Sequence, residues 1–232
     1  MNVTTKLAGA SRRLAKQFLG RDLWVWPEIA VPNRRFGSDY GGWVVCTDDD
    51  LHSRSVVYSV GVGEDVTFDL AMIEAFDCEI FAFDPTPRSA NWIKTQVLPP
   101  QFRFHPWGLA DFDGRQSFAA PDNEHHVSYS AVKPSPSSAM CDVCRLTTIM
   151  QKLGHAAIDI LKMDIEGSEY KVIADLLRGS IRPRQLLVEF HHDMYGIAMD
   201  ETRNALQILE SLGYKIFSIA PTGREYSFIR QS

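Results

Sequence analysis

From residue 55 onward, short apolar runs alternate with stretches of helical period, and few architectures accommodate that rhythm. Ser55–Val62 (SVVYSVGV), Glu79–Phe83 (EIFAF), Phe102–His105, Ile158–Met163 (IDILKM) and Gln185–Phe190 (QLLVEF) read as strands. Near-continuous apolar runs of this kind suit strands covered on both faces. Between them Val66–Phe76, Ser89–Val97, Thr147–Gly154, Ser168–Leu177 and Glu201–Leu212 read as helices, with Gly154 and Gly213 at helix exits. Tyr214–Ile219 and Glu225–Ile229 close the chain as two strands around Pro221-Thr222-Gly223, a connection short enough for an antiparallel pair. The pattern predicts an α/β fold: a mostly parallel sheet with helices on both faces.

Two regions stand outside the rhythm. Residues 1–50 read as an appendage packed on the core, beginning with a basic helix that carries Lys6, Arg12, Arg13 and Lys16 beside Leu7, Leu14, Phe18 and Leu19. That helix is expected to pack on the domain, with docking to a membrane surface or a partner as the alternative. Residues 51–232 form the main domain, interrupted by an insertion at 111–145 that is expected to lie over a site. The 232 residues suffice for one substantial core. No run of about 18 apolar residues occurs, so no transmembrane helix is expected, and four cysteines in a chain this long read as cytoplasmic usage. A net charge of −5 argues against a nucleic-acid partner. The composition leaves a homodimer open.

The first strand ends in Ser59-Val60-Gly61-Val62-Gly63, a turn that opens a helix. Glycines serve where the chain turns sharply and a ligand approaches the backbone. Asp84 ends the next strand about 20 residues later, where a carboxylate can accept hydrogen bonds from both ribose hydroxyls. The third glycine of a dinucleotide fingerprint is missing, and Glu64 and Asp65 follow the turn instead. Two acids there would repel a pyrophosphate. The expected ligand is therefore a nucleoside without phosphates, a description that S-adenosylmethionine with its cationic sulfonium meets.

Leu161-Lys162-Met163-Asp164-Ile165-Glu166-Gly167-Ser168-Glu169-Tyr170 runs from a buried strand through two carboxylates and a glycine into a helix. Carboxylates at the carboxyl end of such a strand sit over the ligand crevice. Lys162 and Asp164 share a strand face and could form a structural ion pair.

This segment resembles the Asp-x-Glu-Gly-x-Glu signature of FkbM-type methyltransferases. Four further pieces agree in order: SVGVGED at the glycine turn, FAFDPTP (Phe81–Pro87), HPWGLADFDG (His105–Gly114) and LLVEFHH (Leu186–His192). The likeness runs from about residue 38 to the C-terminus. It implies a Rossmann-like sheet of seven strands, the last inserted antiparallel. It also implies methyl transfer from S-adenosylmethionine, leaving S-adenosylhomocysteine, to a hydroxyl on a small-molecule or glycan acceptor. Carried over by position, Gly61 and Gly63 with Glu64 line the methionine part, Asp84 with Pro85 and Thr86 the ribose, and Gly108 and Leu109 the adenine, while Asp164 sits beside the sulfonium. Ser59 replaces the acid usual in the family, which puts its contact with the amino-acid part of the cofactor in doubt.

A hydroxyl acceptor benefits from a general base. His191 and His192, after the strand holding Glu189, are the candidates, and His191 shares strand parity with Glu189. Asp164, Glu189, His191, His192 and Asp193 are also donors of the kind Mg²⁺, Mn²⁺ or Zn²⁺ takes, but no spacing demands a metal and none is expected. Cys141-x-x-Cys144 with His125 and His126 is a weaker zinc pattern. Trp107, Tyr129 and Tyr195 are candidate acceptor-pocket aromatics, though such residues more often pack a core.

Overall fold

A computed structural model describes residues 13–20, 22–48, 51–119, 138–192 and 194–231. Its centre is a seven-stranded sheet made of β3 (Val56–Val60), β4 (Glu79–Phe83), β5 (Phe102–His105), β9 (Ile160–Met163), β10 (Gln185–Glu189), β11 (Tyr214–Ile219) and β12 (Glu225–Arg230). The order across the sheet is β11-β12-β10-β9-β3-β4-β5. Every neighbouring pair from β10 to β5 is parallel, whereas β12 runs antiparallel to both β10 and β11. The chain thus forms the Rossmann-like α/β sheet, with the last strand inserted in reverse. Sequence order turns around between β3 and β9, and the crevice outside the strand ends at such a reversal is where ligands bind in this architecture.

The helices are α1 (Thr67–Phe76), α2 (Pro87–Ile93), α3 (Leu146–Leu153), α4 (Glu169–Arg178) and α5 (Met199–Ser211). Strand alternation divides their packing. Tyr58, Val60, Leu161, Met163, Leu186 and Val188 face one core with residues of α3, α4 and α5. Val57, Ile80, Ala82, Ile160 and Leu187 face the other, with Phe68, Met72 and Ile73 of α1. Gly154 ends α3 with φ 74°, the left-handed exit that glycine adopts without strain.

The segment before residue 50 is woven into this body. Strands β1 (Asn33–Phe36) and β2 (Trp43–Cys46) form a hairpin whose Phe36, Trp43 and Val45 enter the second core. The Gln185 side chain is bonded to the backbone N–H and carbonyl of Cys46, at 2.9 and 3.0 Å. Of the basic helix, residues 13–18 are helical, and Leu7 lies outside the described residues. Its packing differs from the amphipathic expectation. Gln17 is buried and donates to the Leu23 carbonyl, and Arg13 pairs with Asp22, while Leu14, Phe18 and Leu19 are exposed. Phe18 stacks edge-on against Trp24, 5.0 Å away, so local aromatic contact replaces burial in the core. No described helix is long and apolar enough to cross a membrane.

The insertion contains β7 (Gly114–Ala119) and β8 (Ser138–Cys144), which pair antiparallel; residues 120–137, with His125, His126 and Tyr129, lie outside the described residues. β8 also pairs with β6 (Gly108–Leu109), closing a three-stranded sheet of its own. Cys141 and Cys144 are both free and buried on β8. A separation of three places them on opposite faces of a strand, which removes the geometry a shared zinc needs.

Candidate active site

Gly61 has φ 76°, and its N–H bonds the Phe83 carbonyl at 2.9 Å, so the turn is tied across to the end of β4. A Cβ at this position would stand 1.7 Å from the Asp164 carbonyl oxygen. Backbone of the two central strands meets there, and only hydrogen fits between. Gly63, also left-handed at φ 53°, has nothing within 4 Å of a built Cβ and presents bare backbone to open space.

Asp84 is buried at the end of β4. Its Oδ2 accepts from the Gly63 N–H at 2.9 Å, and its Oδ1 accepts from the Thr86 N–H and hydroxyl at 2.9 and 2.6 Å. Three of the roughly four acceptor sites of the carboxylate are therefore occupied. Thr86 caps α2, and Pro85 lies 3.1 Å from a Cβ built on Gly108, so the adenine and ribose candidates are neighbours. Leu109, buried beside Gly108, pairs with Cys144. A cavity of about 380 Å³ opens on this side, lined by Trp107, Asp113, Val143 and Lys152 among others. Glu64 instead faces Arg88, in a two-pronged pair at 2.8 and 3.2 Å.

Ser59 lies two residues before Gly61, on the strand that leads into the turn. It is fully buried in β3, directly opposite Lys162 of β9. Lys162 is buried too, and donates to the carbonyls of Gly61 at 2.9 Å and Val60 at 3.4 Å, rather than forming an ion pair with Asp164.

Across the reversal, carboxylates gather on one imidazole. His191 Nε2 lies 3.2 Å from Glu166 Oε2, 3.7 Å from Asp164 Oδ1 and 4.0 Å from Glu189 Oε1. Its Nδ1 lies 3.2 Å from Glu169 Oε1, which also accepts the His191 backbone N–H. Glu169 is fully buried at the start of α4, and its other oxygen takes the Gly167 N–H at 2.9 Å. Glu166 reaches the cluster from a left-handed backbone, φ 51°, and accepts from the Tyr195 hydroxyl at 2.6 Å.

Burial works against charge on His191, but hydrogen bonds to Glu166 and Glu169 overcome it and push the imidazole up to about 11. These hydrogen bonds favour the protonated ring, whereas the expected role as a base needs it neutral. His192 points the other way along the strand, to Thr202 Oγ1 at 3.3 Å on α5. It is buried, as His191 is. The groups with raised proton affinity are carboxyls. Burial, with repulsion from Asp164, pushes Glu189 up to about 8, and burial pushes Asp164 up to about 6 against the pull of Lys162 and His191. Ligand atoms of Asp164, Glu166 and His191 lie within 4.8 Å of one another, close enough to hold a divalent cation. Asp193 lies outside the described residues.

Sequence reasoning missed one contributor. Ser38 donates its hydroxyl to Asp65 at 3.1 Å and receives the N–H groups of Tyr40 and Gly41, which holds the loop between β1 and β2 against the glycine turn. Tyr40 is thereby brought within electrostatic reach of Asp164, Glu189 and Glu166 while 80% of its surface stays exposed. Its signal in the sequence was Tyr40-Gly41-Gly42, an exposed aromatic beside two glycines.

A reversed last strand and a glycine turn facing a carboxylate-lined strand end are the marks of a Rossmann-like transferase domain. Residues 56–216 match the family model of the methyltransferase FkbM domain, and the chain belongs to that family. It is 26% identical over 200 residues to probable methyltransferase-like protein 24 of Rattus norvegicus, covering 80% of this chain and 49% of the relative. It is 30% identical over 159 residues to the Homo sapiens protein of the same name, covering 64% and 38%. The chain thus spans about half or less of the length of these relatives. Among solved structures it is similar to methyltransferase FkbM from Methylobacillus flagellatus, with 14% identity, a TM-score of 0.48, and coverage of 77% of this chain and 44% of that one.

Proposed function

We propose that this chain transfers a methyl group from S-adenosylmethionine to a hydroxyl on a sugar, glycan or secondary metabolite. The observation that carries the reading is the pairing of a bare glycine turn beside Asp84 with a carboxylate cluster on the adjoining strand ends. The turn suits close approach of the methionine part, and Asp84 keeps one acceptor site for a ribose hydroxyl. Asp164, next to Gly61, suits the cationic sulfonium.

In the transfer, the acceptor oxygen attacks the methyl carbon in line with the S–C bond. Bound S-adenosylmethionine would supply the methyl group, giving O–CH₃ and S-adenosylhomocysteine as S–CH₃ breaks, and Glu189 would take the hydroxyl proton. A carboxylate with proton affinity near neutrality is matched to that task. His191 acts as the fixed cation that holds Glu166, Glu169, Asp164 and Glu189 together, in the place where the same donors would otherwise take a metal. Tyr40 and Tyr195 offer the faces and hydroxyls that polyols use. The negative mouth favours neutral acceptors over phosphate-bearing ones such as nucleic acids.

The test is incubation with methyl-labelled S-adenosylmethionine and a panel of sugars, glycans and phenolic or polyketide alcohols. Label recovered as a methoxy group supports the reading. Absence of S-adenosylhomocysteine binding by the folded chain contradicts it.

A further inference from the structure

The mechanism above leaves one buried cation unused. Lys162 lies in the middle of β9 with its ammonium bonded to the carbonyls of Gly61 and Val60. A lysine this deep loses hydration that two neutral carbonyls replace only in part, so a countercharge is required. Asp164 is separated from it by more than an ion-pair distance and belongs to the His191 cluster. A carboxylate in electrostatic reach of Lys162 is Asp69 of α1, buried to 1% exposure. Ser59, opposite Lys162 in the parallel register, is fully buried, and its hydroxyl lies near enough to Asp69 to favour the ionised carboxylate. Trp43 covers the ammonium at 5.8 Å.

We propose that Lys162 is a positioning residue for the cofactor turn, with Asp69 as its countercharge from the helix and Ser59 at the place where a strand-borne acid would do the same work. This rests on the methyltransferase reading and deepens it. The carbonyls that Lys162 holds belong to the residues whose geometry is tightest. Gly61 is pinned by its N–H to Phe83 and by its Cα against Asp164, and Lys162 pins its carbonyl as the third point. The peptide plane leading to Gly63 is then set, and with it the bare backbone that faces the methionine part. Lys162 touches no reacting atom; its influence passes through the turn.

The test is S-adenosylhomocysteine calorimetry on the full chain at a temperature where circular dichroism shows each variant folded. Lys162→Met is expected to weaken binding about tenfold or more, as loss of charge-assisted hydrogen bonds would. Lys162→Arg is expected to recover part of that loss. Asp69→Asn should weaken binding by a smaller factor, and Ser59→Asp combined with Asp69→Asn should return affinity toward the wild type. A purely structural role would change melting temperature but not this rescue pattern. Folded Lys162→Met with unchanged affinity overturns the inference; if that variant does not fold, unchanged affinity in Asp69→Asn overturns it instead. A wild-type chain that binds no S-adenosylhomocysteine overturns the underlying reading itself.

Discussion

The two halves of the crevice are built by opposite means. At the ends of β3 and β4 the site is backbone. Gly61 and Gly63 present backbone without side chains, their peptide groups held by Phe83, Lys162, Asp84 and Ser89, and Asp84 uses most of its acceptor sites organising Gly63 and Thr86. At the ends of β9 and β10 the site is side chain. Four carboxylates surround one buried imidazolium, and two of them have raised proton affinity. The first half is intolerant of added atoms and the second is intolerant of altered charge. A fixed cofactor can be read by rigid backbone, whereas proton transfer from an acceptor requires groups that titrate. On the proposed function, the division of labour follows from the physics of each task.

Substitutions should separate the halves. The largest effect is expected for Gly61→Ala, which drives a Cβ into the Asp164 carbonyl at a positive φ. Loss of S-adenosylhomocysteine binding and a markedly lower melting temperature are expected, and near wild-type values for both would break the picture of a backbone-built half. Next comes His191→Ala, which strands the buried Glu169 carboxylate. Urea unfolding should show a loss of about 3–5 kcal/mol. A loss under about 1 kcal/mol would mean the imidazolium does not hold the cluster.

Glu189→Gln should lower turnover about a hundredfold, the order that general bases contribute, while leaving S-adenosylhomocysteine affinity nearly unchanged. In the wild type, turnover should rise with pH and level off above about 8, as Glu189 loses its proton. The same groups set a stability slope. Both Glu189 and His191 bind protons more tightly folded than unfolded, so the stability they contribute is greatest at low pH and declines as pH rises. The Glu189 contribution falls between about 4.5 and 8, and that of His191 between about 6.5 and 11. His191→Ala should flatten the upper part of that slope in pH-dependent urea melts. The smallest effect is expected for Tyr40→Phe, a few-fold loss confined to acceptor KM, since Tyr40 only overhangs the mouth.

The contrast also explains what could be read in advance. The parallel core was legible because SVVYSVGV, EIFAF, IDILKM and QLLVEF are doubly covered strands, whose near-continuous apolarity is local information. The glycine turn was legible as a motif at a strand end, although the groups that demand glycine at Gly61 come from distant segments, Asp164 and Phe83. The carboxylate half was legible in composition but not in wiring. That Glu169 of α4 captures His191, 22 positions later, depends on how α4 docks against β10. So does the raised proton affinity of His191, since an ordinary imidazole value holds only until two carboxylates close on the ring. Tyr40 escaped because its loop is placed by a Ser38–Asp65 bond between distant segments. The exposed Phe18 and Leu19 escaped because helical period shows which side is apolar, not whether anything covers it.

The division between the halves is tested most directly by S-adenosylhomocysteine calorimetry on the wild type, Asp84→Ala and Glu189→Gln. The wild type should bind one S-adenosylhomocysteine per chain. Asp84→Ala should weaken binding at least about tenfold by removing the ribose contact and freeing Gly63, and Glu189→Gln should bind as the wild type does. No binding by the wild type, or equal losses in the two variants, would contradict a backbone-built cofactor half set against a titrating acceptor half.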